Sequence, residues 1–262
     1  MYVEIQKSIT ETLSNAMERV GNRNFSLPSL HGARSYDPAN EVDLAKLSEL
    51  GVRVDGKVGA GNTVAVAGQV RGLTLRFNGR SNNCILIGKS SKINGPLGFE
   101  SDGNFAVFGD NLALDGFNST MRVAGSQLLI GSDCTSNGVN FGVQGPGNVI
   151  VVFDDCMFSW GVQIRTTDSH GIFDIDSLEQ RNHASSVIIG PHVWLGFNSV
   201  VNKGTVVGGG AIIGAGAIVT SNIPQQCAVA GVPARVVRER VCWTRTPTPS
   251  STDMSAILKR FF

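Results

Sequence analysis

Between Ile189 and Val219 a branched aliphatic residue recurs at every sixth position: Ile189, Leu195, Val201, Val207, Ile213 and Val219. The residue after each is small or tolerant of a turn, namely Gly190, Gly196, Asn202, Gly208, Gly214 and Thr220. Four positions after each aliphatic stand Val193, Ser199, Thr205, Ala211, Ala217 and Ile223, most of them small. A helix repeats every 3.6 residues and cannot hold a strict period of six. A single strand alternates at two, and a glycine every sixth residue would interrupt it. The pattern predicts a short strand and a turn per hexad, three strands to a coil of about 18 residues, and coils stacked at roughly 4.8 Å. The aliphatic points inward and the small residue fits the narrowing corner. The residue before each aliphatic points outward, which sets Trp194, Val200, Val206, Ile212 and Ile218 in outward positions. An outward apolar stripe must be covered, most simply by another subunit.

Upstream the repeat is looser. Coil starts at Ile87, Phe108, Ile130 and Val152 are 21 or 22 residues apart, which implies small corner insertions. The next interval, Val152 to Ile189, is 37 residues, so "HGIFDIDSLEQRNHASS" (170–186) reads as a loop extruded from the prism. Long loops on rigid scaffolds carry function. Ile5, Ile9, Leu13, Met17 and Val20 predict an N-terminal helix ending near Gly21, with a stripe that must pack on the prism or on a neighbour. Residues 22–40 read as a loop and "EVDLAKLSELG" as a second short helix. The expected organisation is an N-terminal helical extension (1–51), a β-helix (52–232), and a C-terminal helix and tail (233–262), with a short helix carrying Arg235, Arg238 and Arg240.

Only 16% of the residues are charged and 32 are glycine, which suits inward-facing strands with glycine corners. A net charge of +1 gives no reason to invoke nucleic acid. No apolar run reaches the ~18 residues of a membrane span, no secretion signal opens the chain, and a cytoplasmic location is the expectation. The five cysteines, without a CxxC, exclude a disulfide framework or zinc ribbon. Cys134 and Cys156 fall at the small inward position and read as packing residues.

The run "VVGGGAIIGAGAIVTSNIPQQCAVAGVPARVVRE" resembles the C-terminal coils of the hexapeptide-repeat acyltransferases. "IRTTDSHGIFD" followed by "GPHVWLG" is similar to the branch that O-acetylates capsular and lipopolysaccharide sugars, polysialic acid O-acetyltransferases among them. The resemblance covers roughly residues 85–240. It implies a left-handed parallel β-helix, a homotrimer, and acetyl-CoA lying between neighbouring prisms, with transfer to a hydroxyl of a bacterial surface saccharide. Handedness comes from the resemblance alone, because parallel crossovers are ordinarily right-handed.

Acetyl transfer from a thioester to a hydroxyl needs a base, donors for the developing oxyanion and a positioned thioester. The histidines are His31, His170, His183 and His192. The "DSH" motif makes His170 the expected base, and Asp168 is either the group that orients its ring or a turn residue. The similar "HVWIG"-like stretch puts Trp194 at the active site, as a donor to the thioester carbonyl or a wall of the pocket. By the family's motifs Ala215 and Thr220 line the pantetheine arm, and Arg235 and Arg238 meet the 3′-phosphate. Ser221 stands where the family has a lysine. His183 and His192 lack the tight pairing of metal sites built on this fold, so no metal is expected, and each reads as a surface or acceptor-pocket residue. N-acylation of an amino sugar or small molecule, and a non-catalytic β-helix scaffold, are the alternative readings.

Overall fold

The computed structural model describes residues 2–20 and 33–262, with side chains of the first helix from Thr10 onward. His31 and most of the expected 22–40 loop lie outside the described residues. The architecture is a left-handed parallel β-helix. Face one stacks Thr63–Val66, Cys84–Ile87, Phe105–Phe108, Gln127–Ile130, Val149–Val152, Val187–Ile189 and Val206–Val207. Face two includes Ala113–Asp115, Thr135–Ser136, Met157–Phe158, Trp194–Leu195, Ile212–Ile213 and Cys227–Ala230. Face three includes Val52–Asp55, Phe117–Met121, Val139–Val143, Val162–Arg165, Val200–Val201 and Ile218–Val219.

Registers follow the predicted inward column. Ile87, Phe108, Ile130, Val152, Ile189 and Val207 pair in succession, all fully buried. Larger residues fill the wider coils, where Phe108, Phe117, Phe141 and Phe158 form a chain of ring contacts 5.6–5.9 Å apart. Cys134 and Cys156 lie fully buried in the same core. Burial pushes the Cys134 thiol well above its ordinary pKa, as expected for an inert packing residue.

The corner between faces three and one is the long one. At its N-terminal end an asparagine ladder spans the coils: Asn62 Oδ1 accepts from the Asn83 N–H (2.9 Å), Asn83 Oδ1 from Asn104 (2.9 Å), and Asn104 Oδ1 from Ser126 (3.0 Å). The corner between faces one and two is tight. Asn111, Asp133, Asp155, His192, Gly210 and Gln226 occupy it in successive coils with φ between 52° and 71°. Asn, Asp, His and Gly are the residues that tolerate this left-handed conformation best.

The appendages cover the prism. Helix α1 (Tyr2–Val20) lays Leu13, Ala16 and Val20 over the outward stripe of face one, including Leu129, Val151, Ile188 and Val206. Helix α2 (Glu41–Glu49), N-capped by Asn40, buries Leu47 at the N-terminal end of the core. Residues Arg34–Tyr36 add an antiparallel strand to the first coil. The cover expected from another subunit thus comes, for Val206, from the chain's own first helix. Residues Arg235–Glu239 are a strand, antiparallel to Cys227–Ala230, and not the short helix expected there. The valines of "ARVVRE" suit an extended chain, and the open edge of Cys227–Ala230 offers it partners. The C-terminal helix α3 lies later, at Ser251–Phe261, opened by a Ser250–Asp253 capping box.

Candidate active site

The chain leaves face three at Arg165 and returns to face one at Val187, and the extruded loop occupies this long corner. Its base is pinned by three side chains. Lys203, one coil further on, donates to Asp168 Oδ2 and, at 2.9 Å, to the Asn182 carbonyl. Asn182 Nδ2 donates to Asp168 Oδ2 (2.9 Å) and to the His170 carbonyl (2.7 Å), while its Oδ1 accepts from the Ile172 N–H (2.6 Å). The Lys203 hydrogen bond, then that of Asn182, holds the Asp168 carboxyl below its ordinary pKa. Further out, Arg181 pairs with Asp174 at 3.0 Å and the Asp174 N–H donates to the Glu179 carbonyl. The loop is therefore a braced hairpin.

His170 stands at its mouth, exposed, with no hydrogen bond to its ring among the described residues. Asp168 does not orient that ring, contrary to one of the two roles open to it. Its carboxylate is taken by Lys203 and Asn182, so it fixes the loop backbone on which His170 sits. Lys203 and Asn182 were not singled out in the sequence. Only the fold shows that a lysine in the next coil's corner underlies the loop. His183 is exposed on the same loop.

Trp194 lies on face two, outward as expected and 37% exposed. It pairs with Met157 on one side and Ile212 on the other, and Ile212 pairs with Ala228, which pairs with Arg238. Trp194 and Arg238 thus lie on one cross-strand column, three strand spacings or about 14 Å apart. Over this face runs the C-terminal tail. Between them lies a cavity of about 1110 Å³, walled by Met157, Trp194 and Ile212 from the prism and by Trp243, Met254 and Leu258 from the tail. Ile212, like Val206, is covered by its own chain.

The tail is held by a cluster centred on His192, which corrects the expectation of a surface or acceptor-pocket residue. His192 is 1% exposed. Its Nδ1 lies 2.8 Å from Asp155 Oδ2 and its Nε2 2.9 Å from the Trp243 carbonyl oxygen. Its ring stacks on Trp243 (4.2 Å, 6°) and Phe261 (5.0 Å, 15°). Both ring nitrogens face acceptors, so the imidazolium fits and the neutral ring would oppose one lone pair to another. Burial alone would lower its pKa; the Asp155 hydrogen bond, with smaller contributions from Cys242 and the Trp243 carbonyl, raises it to about 9. Arg245 also pairs with Asp155 (2.8 Å), and Arg260 with Asp133 (2.7 Å).

Ala215 is exposed at the corner between faces two and three, and Thr220 is exposed at the corner that also carries Lys203 and the His170 loop. Arg235 and Arg238 are exposed on the last strand. One chain thus sets His170 and Thr220 on one edge and Trp194, Ala228 and Arg238 on another side of the prism. Among the described residues no group of three or more His, Cys, Asp or Glu could hold a metal ion.

No protein-family model matches the chain. A polysialic acid O-acetyltransferase of Neisseria meningitidis is 35% identical over 173 residues, which cover 61% of this chain and 80% of that protein. The chain belongs to the polysialic acid O-acetyltransferase family. A second member, from Escherichia coli O1:K1 / APEC, is 44% identical over 122 residues, 47% of this chain and 39% of the relative's length. The chain thus matches well under half of that longer protein. Among solved structures, the polySia-specific acetyltransferase NeuO superposes with a TM-score of 0.65 at 28% identity, covering 80% of this chain and 98% of that one. The polysialic acid O-acetyltransferase OatWY, at 24% identity and a TM-score of 0.67, shares the fold. The family resemblance read from "DSHGIFD" and "GPHVWLG" is borne out by these relatives.

Proposed function

We propose that the chain transfers an acetyl group from acetyl-CoA to a hydroxyl of a surface polysaccharide, with His170 as general base. The observation that carries this reading is the placement of His170: an imidazole with no hydrogen-bond partner among the described residues, held by a braced loop at a prism edge, in a chain of this family. In the reaction His170 accepts the hydroxyl proton as the oxygen attacks the thioester carbonyl carbon. The tetrahedral intermediate collapses, the C–S bond breaks, and the proton passes to the departing CoA thiolate. Trp194 presents its indole N–H to the thioester oxygen or walls the acyl group. The column from Trp194 to Arg238 supports a long donor lying across face two, its reacting end at Trp194 and its phosphate end at Arg238 and Arg235. Arginine suits a bidentate phosphate contact. Ala215, at the corner beside face two, lines the pantetheine arm, and Thr220 joins it from the neighbouring copy, on the edge that carries His170.

His170 and Trp194 lie on different sides of one prism, so a complete site draws them from two neighbouring copies. Ile172, Phe173, Ile175 and Leu178 on the loop are 58–82% exposed, and Trp160 (59%) and Phe197 (51%) are exposed toward the corner between faces two and three. Two separated apolar patches favour a head-to-tail contact that closes into a ring, a homotrimer. The protein is expected to act in the cytoplasm.

The test is free-thiol release from acetyl-CoA by the wild type and by His170→Ala, over polysialic acid, neutral capsule fragments, galactosides and chloramphenicol. Saccharide-dependent release that falls ~10²–10⁴-fold in the variant supports the assignment. Full activity in His170→Ala removes it from the mechanism. Preference for chloramphenicol moves the acceptor to small molecules.

A further inference from the structure

Beside the His170 loop, face three carries a polar strip that the transfer reaction as described leaves unused. The outward residues of three successive coils, Asn118, Asn140 and Gln163, pair rung to rung. They stand one strand spacing apart, roughly 4.8 Å. The next two rungs of the same column are Val200 and Ile218, so the amide ladder stops abruptly at the level of the loop. A parallel column runs Thr120, Gly142, Arg165. Gly142 leaves the middle of this surface without a side chain, and the strip forms a shallow groove of about 260 Å³ that ends at Thr167 and Ser169, next to His170.

Asn118, Asn140 and Gln144 make no side-chain hydrogen bond among the described residues, and Gln163 is used only through Oε1, by Arg165 at 3.1 Å. A run of exposed amides on a flat sheet, those of Asn118 and Asn140 unpaired among the described residues and that of Gln163 with its donor group still open, offers donors and acceptors at a fixed repeat. That is the complement of the hydroxyl, ring-oxygen and amide groups of a sugar chain. The charge at the groove points the same way. Arg122 is paired with Glu100 at 3.3 Å, whereas Arg165 forms no ion pair with a carboxylate among the described residues. The groove therefore presents a guanidinium that is steadied by Gln163 and feels the Asp168 carboxylate only at longer range, immediately before the loop that carries His170 and placed for a further carboxylate.

We propose that face three is the acceptor track: Asn118, Asn140 and Gln163 bind consecutive units of an acidic saccharide chain, and Arg165 holds the carboxylate of the unit presented to His170. The chain runs parallel to the prism axis, so a long acceptor gains contacts that a single sugar cannot make. This rests on the transfer reading above and adds to it a binding surface and a determinant of acceptor length and charge.

The experiment measures two quantities that fail separately. First, short and long oligosialic acid fragments, and dextran fragments as neutral controls, are titrated by calorimetry into the protein without acetyl-CoA. Second, KM and kcat are measured for the same acceptors with acetyl-CoA. The variants are Asn140→Ala, Gln163→Ala and Arg165→Gln, all on outward positions, with thermal melts to confirm an intact fold. The track predicts that long acidic fragments bind more tightly than short ones. Each variant then raises Kd and KM for the long fragment by about tenfold, the equivalent of one good hydrogen-bonded contact. It also predicts kcat within about twofold of wild type for Asn140→Ala and Gln163→Ala, which hold units away from the reacting one, while Arg165→Gln, which positions the reacting unit, lowers kcat as well. Length-independent binding, wild-type KM in all three variants, or equal preference for dextran would overturn it. Binding of the long fragment without acetyl transfer would keep the track and remove the transfer reading.

Discussion

His192 Nδ1 and Asp155 Oδ2 are 2.8 Å apart, one coil above the other at the tight corner, and together they anchor a tail through Trp243, 51 residues later in the chain. The geometry needs a protonated ring, and that gives the anchor a pH dependence of definite sign. The His192 pKa is raised from 6.5 to about 9. Its contribution is fully present below pH 6.5 and is lost as pH rises through about 9. The Asp155 carboxyl is opposed by burial but held below its ordinary value of 3.8 by His192 and Arg245. Its contribution is present above that value and fades as pH falls through the lowered pKa. The tail should therefore stay docked across neutral pH and loosen above about pH 9. Limited proteolysis between residues 240 and 262, followed from pH 7 to 10, checks this. A cleavage rate that does not change through pH 9 would contradict it. His192→Ala, which leaves Asp155 partly buried with one partner fewer, should cost about 3 kcal/mol and release the tail at pH 7.

The braced loop yields a second prediction. Lys203→Met removes the ammonium from Asp168 and the donor to the Asn182 carbonyl, but touches no reacting atom. The pair is partly solvent-exposed, with the Lys203 and Asp168 side chains 20% and 39% accessible, so global stability should change by no more than about 1 kcal/mol. If His170 is the base, loosening its mount should instead lower kcat by about 10–100-fold with little change in donor affinity. Parallel melting curves, donor titrations and rates separate the two effects. A large fall in melting temperature with normal kcat would make Lys203 a structural residue only.

What could be read in the sequence follows from how local each feature is. Six hexads in succession report their own geometry, because each aliphatic and its following small residue meet the same corner in every coil. The loop was legible as a length anomaly between Val152 and Ile189. His192 was misread because its partners are not local. Asp155 lies 37 residues earlier and Trp243 51 residues later. A column of Asn, Asp and His in the left-handed corner position was present as a signal, since Asn111, Asp133 and Asp155 keep the coil period up to His192. Read together with Trp243, Arg245, Arg260 and Phe261 downstream, it would have pointed to a clasp. The helix expected at Arg235–Arg240 failed for the opposite reason: an open strand edge, invisible in local composition, decided for an extended chain.

Face one and α1 give a third prediction. Leu13 is 3% exposed and packs in the cluster that contains Leu129, Val151 and Ile188. Leu13→Ala should destabilise the docking of α1 by about 2–4 kcal/mol. Leu13→Asp should release the helix and uncover the stripe from Leu86 to Val206. The readout is binding of an environment-sensitive apolar dye together with hydrogen exchange of α1. Unchanged protection of α1 in Leu13→Asp would show that its seat on the prism does not depend on this contact.

Separation of His170 from Trp194 gives the last prediction, and it tests the assembled site without a structure of the assembly. If a site takes its base from one copy and its indole from the next, His170→Ala and Trp194→Ala each disable every site in a pure oligomer. In an equal mixture, a site is intact when the copy supplying the histidine is the Trp194→Ala chain and the copy supplying the tryptophan is the His170→Ala chain. For random assembly in a head-to-tail ring, that combination arises at about one interface in four. Mixing the two inactive proteins, with dissociation and reassembly, should therefore restore about a quarter of wild-type activity. The double variant mixed with wild type serves as the control for dilution. Activity that stays at the level of the separate variants would place both side chains in a single-chain site, and the two-copy arrangement would be withdrawn.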